Sequence, residues 1–516
     1  MQPEMPAADA EAEVLIVGGG PVGLTARALL ERWGVRTLLV EKHRELSPFP
    51  RSRLVNVRSM EIFRQLGLAE RITAAAFAPE YGRIRFRDTL HAPDFASAAM
   101  IGVDGPVPES PVTGVVTSQD RLEPVLLGAA GSPVRFGVEL VDLAEADGAV
   151  TARLVEHGSG TESRVRARYV LAADGANSTV RERLGIGTEG PGAVGRVTTV
   201  VFDADLDHWS ARQPAGVYLT TRGSFLPLYP EGGWALFAPT PQDPEAADWP
   251  GLVTRSLGAD VPVHVRRVQH WVVNAFVAER FRHGRTLLAG DAAHAVPPAG
   301  GLGMNVGVAD VHNLCWKLAG VLRGWAGPDL PATYEPERMP VARRTLGQAV
   351  ENSKMMFQVQ DVRREQLQAD GAQAAQRVEP PWSEQYFAQL GLVLGVAYRS
   401  AAVVADGHSP TEPSGTTYVP TAQPGHRMPH LWLTDGRSTL DAFGEWFTLL
   451  TAAPVHRDPA WPLRVETLPA EHADLWGLGS RGALLVRPDG HIAARWSDGP
   501  PGEAALHDAL TAVTAR

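Results

Sequence analysis

The chain has 516 residues, is 44% hydrophobic and 21% charged, and carries a net charge of −10. That length exceeds one compact core, so two or three domains are expected. The acidic balance argues against nucleic acid or a membrane surface as a partner, and a single cysteine, Cys315, excludes an internal disulfide and a C-x-x-C redox pair. Residues 1–12 are acidic, Ala/Pro-rich and aperiodic, and read as a disordered tail. No positively charged start with an apolar run occurs, nor any apolar span long enough for a membrane helix, so a cytoplasmic protein is expected.

The first strong pattern runs from Glu13 to Glu41: strand, tight turn, helix, Gly-Val turn, strand. Gly18, Gly20 and Gly23 fit G-x-G-x-x-G, with Pro21 opening the helix. One glycine makes the turn, one lets a pyrophosphate reach the backbone, and one lets helix pack on strand. Glu41, with Lys42 beside it, ends the second strand, where an acid meets a ribose diol. An acid there also disfavours a 2′-phosphate. The pattern predicts a dinucleotide site.

Farther along, Tyr81–Arg87 alternates like a strand. The segment from Ala167 to Arg181 reads as a buried strand ending in Asp174-Gly175, followed by a helix start with Ser178. Alternating runs at Val197–Asp205, Gly216–Thr220 and Gly233–Ala238, punctuated by Pro and Gly, predict a mostly antiparallel sheet. Gly284 to Asn305 then reads as a short strand, an acid (Asp291) at its end, a glycine-rich turn and a helix start. Such a turn offers backbone N–H groups to an anion. Residues from Pro331 to about Val403 have a helical pattern, and Ser409–Pro424 reads as a linker. Strand signals follow at His430–Leu433, Trp446–Thr451 and Gly482–Gly490. No histidine lies in a metal-binding array, so no metal is expected.

The Gly18–Gly23 fingerprint, Asp174-Gly175 and Gly290-Asp291, in that order, resemble the group A flavoprotein monooxygenases, the family of para-hydroxybenzoate hydroxylase. The likeness is nearer still to the FAD-dependent aromatic polyketide hydroxylases of anthracycline and angucycline type. It extends to Phe49–Gly67, Ser118–Pro124, Asp310–Leu318 and Leu485–Arg495. The family usually has small residues near Pro50-Arg51; here Arg51 and Arg53 flank Ser52, which places an extra guanidinium near the flavin.

The resemblance implies an α/β Rossmann-like FAD-binding domain over 13–75, 112–190 and 284–400. It implies an inserted, mostly antiparallel β-sheet substrate domain over 76–111 and 191–283, and a thioredoxin-like C-terminal domain over 410–516. Without cysteine there, that last domain cannot do dithiol chemistry and is expected to serve structure or association. The implied cofactor is tight, non-covalent FAD, with NAD(P)H binding transiently and O2 as co-substrate. In this family the reduced flavin forms a C4a-hydroperoxide whose distal oxygen goes to an electron-rich ring, while the protein orients and shields the site.

Residue by residue, Gly18, Gly20, Pro21 and Gly23 are expected around the pyrophosphate, with Glu41 and Lys42 by the adenosine ribose. Asp291, after Gly290, is expected on the ribityl or pyrophosphate side. Gly301, Gly303, Met304 and Asn305 would present N–H groups to the flavin, and Pro297 and Pro298 would stiffen the loop along the ring. Arg51 and Gln119 would contact FAD. Asp174 is counted with the cofactor residues and, with Arg181, is assigned to domain support and the NAD(P)H encounter. His294 reads as a hydrogen-bonded structural group. Arg51, Pro297, Tyr229 and Trp271 are the candidate catalytic residues, and Arg51, Arg83, Arg85, Tyr229 and His270 the candidates for stabilising a phenolate.

The expected activity is NAD(P)H-dependent hydroxylation of a polycyclic aromatic polyketide in antibiotic or pigment biosynthesis, by a monomer or homodimer. Baeyer–Villiger cleavage or oxidative rearrangement of a polycyclic quinone, a non-turning-over flavin scaffold, and a degradative phenol or resorcinol hydroxylase are the alternatives.

Overall fold

A computed structural model of the chain describes residues 9–368, 378, 390–407, 417–433, 435–451, 460–467, 478, 482–497 and 499–516. The first sheet is built on parallel strands in the order Thr286–Leu288, Glu162–Ala172, Ala10–Val17, Thr37–Glu41 and Val134–Phe136. Val14, Leu15 and Ile16 are fully buried, as expected of a strand covered on both faces. The helices Pro21–Arg32 and Gly303–Arg323 pack on it, and their apolar faces join its core. The opening strand begins at Ala10, inside the stretch expected to be a tail, because Ala10 to Ala12 pair with Val165 to Ala167. Residues 1–8 lie outside the described residues.

The second sheet has eight strands, in the order His294–Ala295, His264–Ala278, Thr188–Asp203, Gly232–Pro239, Gly223–Tyr229, Val217–Thr220, Arg83–Arg87 and Asp94–Ala99. All its pairings are antiparallel except that of Val217–Thr220 with Arg83–Arg87. Each alternating run picked out for this sheet overlaps one of these strands. Phe202, Phe225, Trp234 and Leu236 fill a core of their own on one side.

The third sheet, Leu463–Thr467, Phe447–Thr451, Ala483–Val486 and Ile492–Trp496, has one parallel and two antiparallel pairings. It is anchored by charge as well as apolar packing. Arg487 donates to both oxygens of Glu337 at 2.7 and 2.9 Å, and Lys317 adds a third bond at 2.7 Å, all fully buried. The expected strand at His430–Leu433 is absent: Trp432 makes only an isolated bridge to Ser438. The helical reading from Pro331 onward holds for Tyr334–Gln368, while Tyr398 to Val403 is irregular. Part of the expected linker, residues 409–416, lies outside the described residues.

Candidate cofactor cleft and active site

The glycines of the first turn have three different surroundings. Gly18 has φ +107°, and a Cβ on it would sit 2.3 Å from the Ala173 carbonyl oxygen. A Cβ on Gly23 would sit 2.0 Å from the Gly18 carbonyl oxygen, whereas one on Gly20 would meet nothing within 4 Å. Gly18 thus makes the turn, Gly23 lets the helix touch the strand, and Gly20 faces open space. Pro21 opens the helix, and no side chain caps the helix start. The helix Gly303–Arg323 is likewise uncapped at Leu302. By contrast, Asn56, Ser178 and Asp248 cap their helices through their side chains. Uncapped helix starts leave N–H groups and the positive end of the dipole to a ligand.

Around these two helix starts stand most of the residues singled out from sequence. Asp291 is exposed yet crowded by protein, and burial pushes its carboxyl up against the pull of His294 and Arg51. An exposed carboxyl crowded by protein is open to a ligand from its solvent side. Arg51 is also exposed, and its charge reaches both Asp291 and Glu123. Gln119 accepts the Ser52 N–H at 3.2 Å and donates to Glu123 at 2.7 Å. Burial pushes Glu123 up to about 7. Glu41 accepts the Gly19 N–H at 2.6 Å and the His43 N–H at 2.9 Å, while Lys42 points to solvent. Pro297 is buried and Pro298 exposed, and Pro298 accepts the Gly301 N–H at 3.0 Å. Gly303 and Met304 open the second helix, with Met304 half-buried. The Asn305 side chain is tied into the fold: it donates to Leu54 and Gly301 and accepts from Asn56.

Open space at Gly20, an exposed acid without a protein donor among the described residues, and two uncapped helix starts suit a dinucleotide with a negatively charged middle. The FAD implied by the resemblance fits these residues.

Two assignments gain detail from the fold. Asp174 spends both carboxylate oxygens on its own helix start, accepting from Ser178 Oγ at 2.6 Å and the Val180 N–H at 3.1 Å. These bonds make it a brace for the helix start, the supporting role expected of it. Arg181 extends that brace, donating to Ala292 at 2.9 Å and Ala176 at 2.7 Å, and so ties the Asp-Gly loop to the Gly-Asp loop.

Trp271 is the second. Its indole N–H donates to Thr199 at 3.0 Å within the sheet. Two strands lie between it and Tyr229, and the register places them seven positions apart along the strands. That is roughly 20 Å or more, too far for both to touch one reacting ring. Tyr229 instead donates to Asp120 beneath the Arg121 guanidinium. Burial and Asp120 push its hydroxyl up to about 12, so it is a donor at neutral pH, not a base. His270 hydrogen-bonds Thr198, Arg85 pairs with Asp94, and Arg83 donates weakly to Ser97. None of the three faces Tyr229 in these contacts.

Sequence reasoning passed over Asp310 and Glu123 as working groups and singled out Arg53 only as an extra guanidinium near the flavin. Asp310 is fully buried, holding His294 at 2.6 Å, Arg338 at 2.8 Å and the Gly290 N–H at 3.1 Å. Burial raises its carboxyl, but His294 and Arg338 outweigh that and hold it low. It fixes the Gly-Asp turn from beneath. Glu123 had a signal in hand: it lies four residues after Gln119, on the same helix face. Arg53 had none beyond being an unexpected arginine.

The FAD binding domain family matches residues 11–349, and the family described as aromatic-ring hydroxylase, C-terminal, matches residues 421–516. The chain is 34% identical to 4-methyl-5-nitrocatechol 5-monooxygenase of Burkholderia sp, covering 98% of each. It is also 34% identical to aklavinone 12-hydroxylase RdmE of Streptomyces purpurascens, covering 94% of this chain and 96% of that protein. The crystal structure of the flavin-dependent monooxygenase PieE, in complex with FAD and substrate, superposes with a TM-score of 0.89 at 33% identity. That match covers 99% of this chain and all of that one (100%).

Proposed function

The chain belongs to the FAD-binding aromatic-ring hydroxylases, and from that membership we propose that it uses a reduced nicotinamide and O2 to hydroxylate a polycyclic aromatic polyketide. The observation that carries the substrate class is the near full-length likeness to a protein named for hydroxylating aklavinone. The eight-stranded sheet beside the cofactor cleft supports it, as a broad wall against which a flat molecule can lie.

When bound, FAD supplies the activation of O2 and the delivery of one oxygen atom to the ring. The chain's own residues hold and shield it. Gly20 leaves room for the pyrophosphate, and Arg51 offers it a cation. Glu41 and Asp291 take hydroxyl groups of the dinucleotide. The uncapped start of Gly303–Arg323 lends its dipole to negative charge on the ring system, an effect of about 0.3–2 kcal/mol. Asp310, His294 and Arg338 keep that loop in place. Arg181 keeps the two cofactor loops in register.

Among the described residues no helix is long and apolar enough to cross a membrane, which suits a cytoplasmic enzyme. The test is turnover by the FAD-loaded protein with NADPH or NADH, O2 and two substrate sets, fused-ring hydroxyquinones and monocyclic phenols, with mass analysis of products. Gain of one oxygen on an intact fused-ring skeleton is the expected result. Turnover of monocyclic phenols alone overturns the substrate class. Ring cleavage replaces hydroxylation with the Baeyer–Villiger alternative. Failure of both nicotinamides to reduce the flavin overturns the reductant.

A further inference from the structure

Arg53 carries a buried guanidinium. The residue is 8% exposed, and its Nε, Nη1 and Nη2 have no hydrogen-bond partner among the described residues. Its backbone is fixed, since its carbonyl accepts the Thr117 N–H at 3.1 Å. The guanidinium lies 5.6 Å from the centre of the Phe77 ring. The ionisable groups whose charge reaches it are Asp120 and Tyr229. Neither is within bonding distance. Asp120 Oδ2 accepts the Tyr229 hydroxyl, and its Oδ1 is itself buried and unpartnered among the described residues. Arg121 covers the Tyr229 ring at 4.3 Å and is paired with Glu231. Among the described residues of this cluster, the Arg53 guanidinium and Asp120 Oδ1 are left without a bond, at the seam between the cofactor cleft and the second sheet.

A desolvated, unpaired guanidinium is among the costliest arrangements a protein can keep. Burial draws Arg53 down to about 10, so it remains a cation at neutral pH. A planar guanidinium beside an aromatic ring suits an anionic oxygen on a flat molecule.

We propose that Arg53 recognises the acidic hydroxyl of the substrate, holding the ionised oxygen of a phenol conjugated to a carbonyl, while Asp120 Oδ1 accepts a hydrogen bond from a neighbouring hydroxyl. The phenolic O–H bond breaks, the proton passes to solvent as the substrate binds, and no electron changes hands. The ring so ionised is the electron-rich one, which directs oxygen to it. The inference rests on the hydroxylase reading above for the nature of the substrate.

The test uses the FAD-loaded protein and 1,8-dihydroxyanthraquinone, titrated at a pH below the probe's own ionisation and followed by the phenolate absorption band. The wild-type protein is expected to lower the probe's apparent pKa by at least about one unit, a tenfold change in the ionised ratio. Arg53→Met is expected to bind the probe neutral, with unchanged flavin content, and Arg53→Lys to recover part of the shift. Without probe, Arg53→Met should melt no lower than wild type, because it removes an unpaired buried charge. Equal ionisation in wild type and Arg53→Met overturns the proposal, and so does a lower melting point with loss of flavin. 4-Nitrocatechol is titrated in parallel. Its Arg53-dependent ionisation, with no binding of the anthraquinone, keeps the role of Arg53 and overturns the polycyclic reading. Binding of both probes without dependence on Arg53 overturns the role and leaves the reading standing.

Discussion

His491 stacks on Tyr398 with ring centroids 4.1 Å apart, where the third sheet meets the rest of the protein. Burial pushes its imidazole down to about 4, and burial pushes that of His312, bonded to Gln65 at 2.8 Å, down to about 3. An unfolded histidine titrates near 6.5, so between these values the unfolded chain binds more protons. Stability is therefore full above about pH 6.5 and is lost as pH falls toward 4, on the order of 3 kcal/mol for each histidine. Urea midpoints across that range should fall, and His491→Gln should flatten part of the fall. A midpoint independent of pH there contradicts the buried neutral histidines.

Gly20 and Gly23 are expected to fail differently. Gly23→Ala drives a methyl into the Gly18 carbonyl, which costs about 1–3 kcal/mol as overpacking or abolishes folding. Gly20→Ala meets no protein atom, so the flavin-free protein should melt as wild type does while retaining less FAD. Flavin absorbance per protein after gel filtration reads the second effect. Full flavin retention by Gly20→Ala means the open side of Gly20 is not where the dinucleotide passes.

Asp291→Asn tests the exposed acid of the Gly-Asp turn. Because crowding raises this carboxyl, the folded state holds its proton more tightly than the unfolded chain, and the ionised form weakens the flavin-free fold as pH rises. The variant should melt at or above wild type at neutral pH, with the difference vanishing in acid, while FAD affinity falls about tenfold, the scale of one charge-assisted hydrogen bond. Unchanged FAD affinity removes Asp291 from the cofactor residues.

Tyr229 and Trp271 should separate cleanly. Tyr229→Phe removes the donor to Asp120 and is expected to lower kcat/KM by about tenfold or more. Trp271→Phe should leave kcat/KM within about threefold, as expected of a residue remote from the chemistry. A larger loss from Trp271→Phe than from Tyr229→Phe places the reacting ring elsewhere on the sheet.

The sequence alone was enough for the local machinery. The glycine spacing, the acid ending the second strand and the glycine-rich turn before Asn305 each involve a few neighbouring residues, so the physics that shapes them is written in consecutive positions. The alternating strands of the second sheet were legible for the same reason. What the sequence left open depends on groups brought together from far apart. Asp174 reads from sequence as both cofactor residue and support, and only the fold shows its oxygens on Ser178 and Val180. Trp271 and Tyr229 seemed partners until strand order and register separated them. Asp310 carried no role until His294, Arg338 and Gly290 closed around it. Arg53 was an extra arginine in a motif, and only the packing of Phe77, Asp120 and Tyr229 around it left its charge unpaired. Burial and pairing of charge are sums over all neighbours in space, and that sum exists only once the chain has folded.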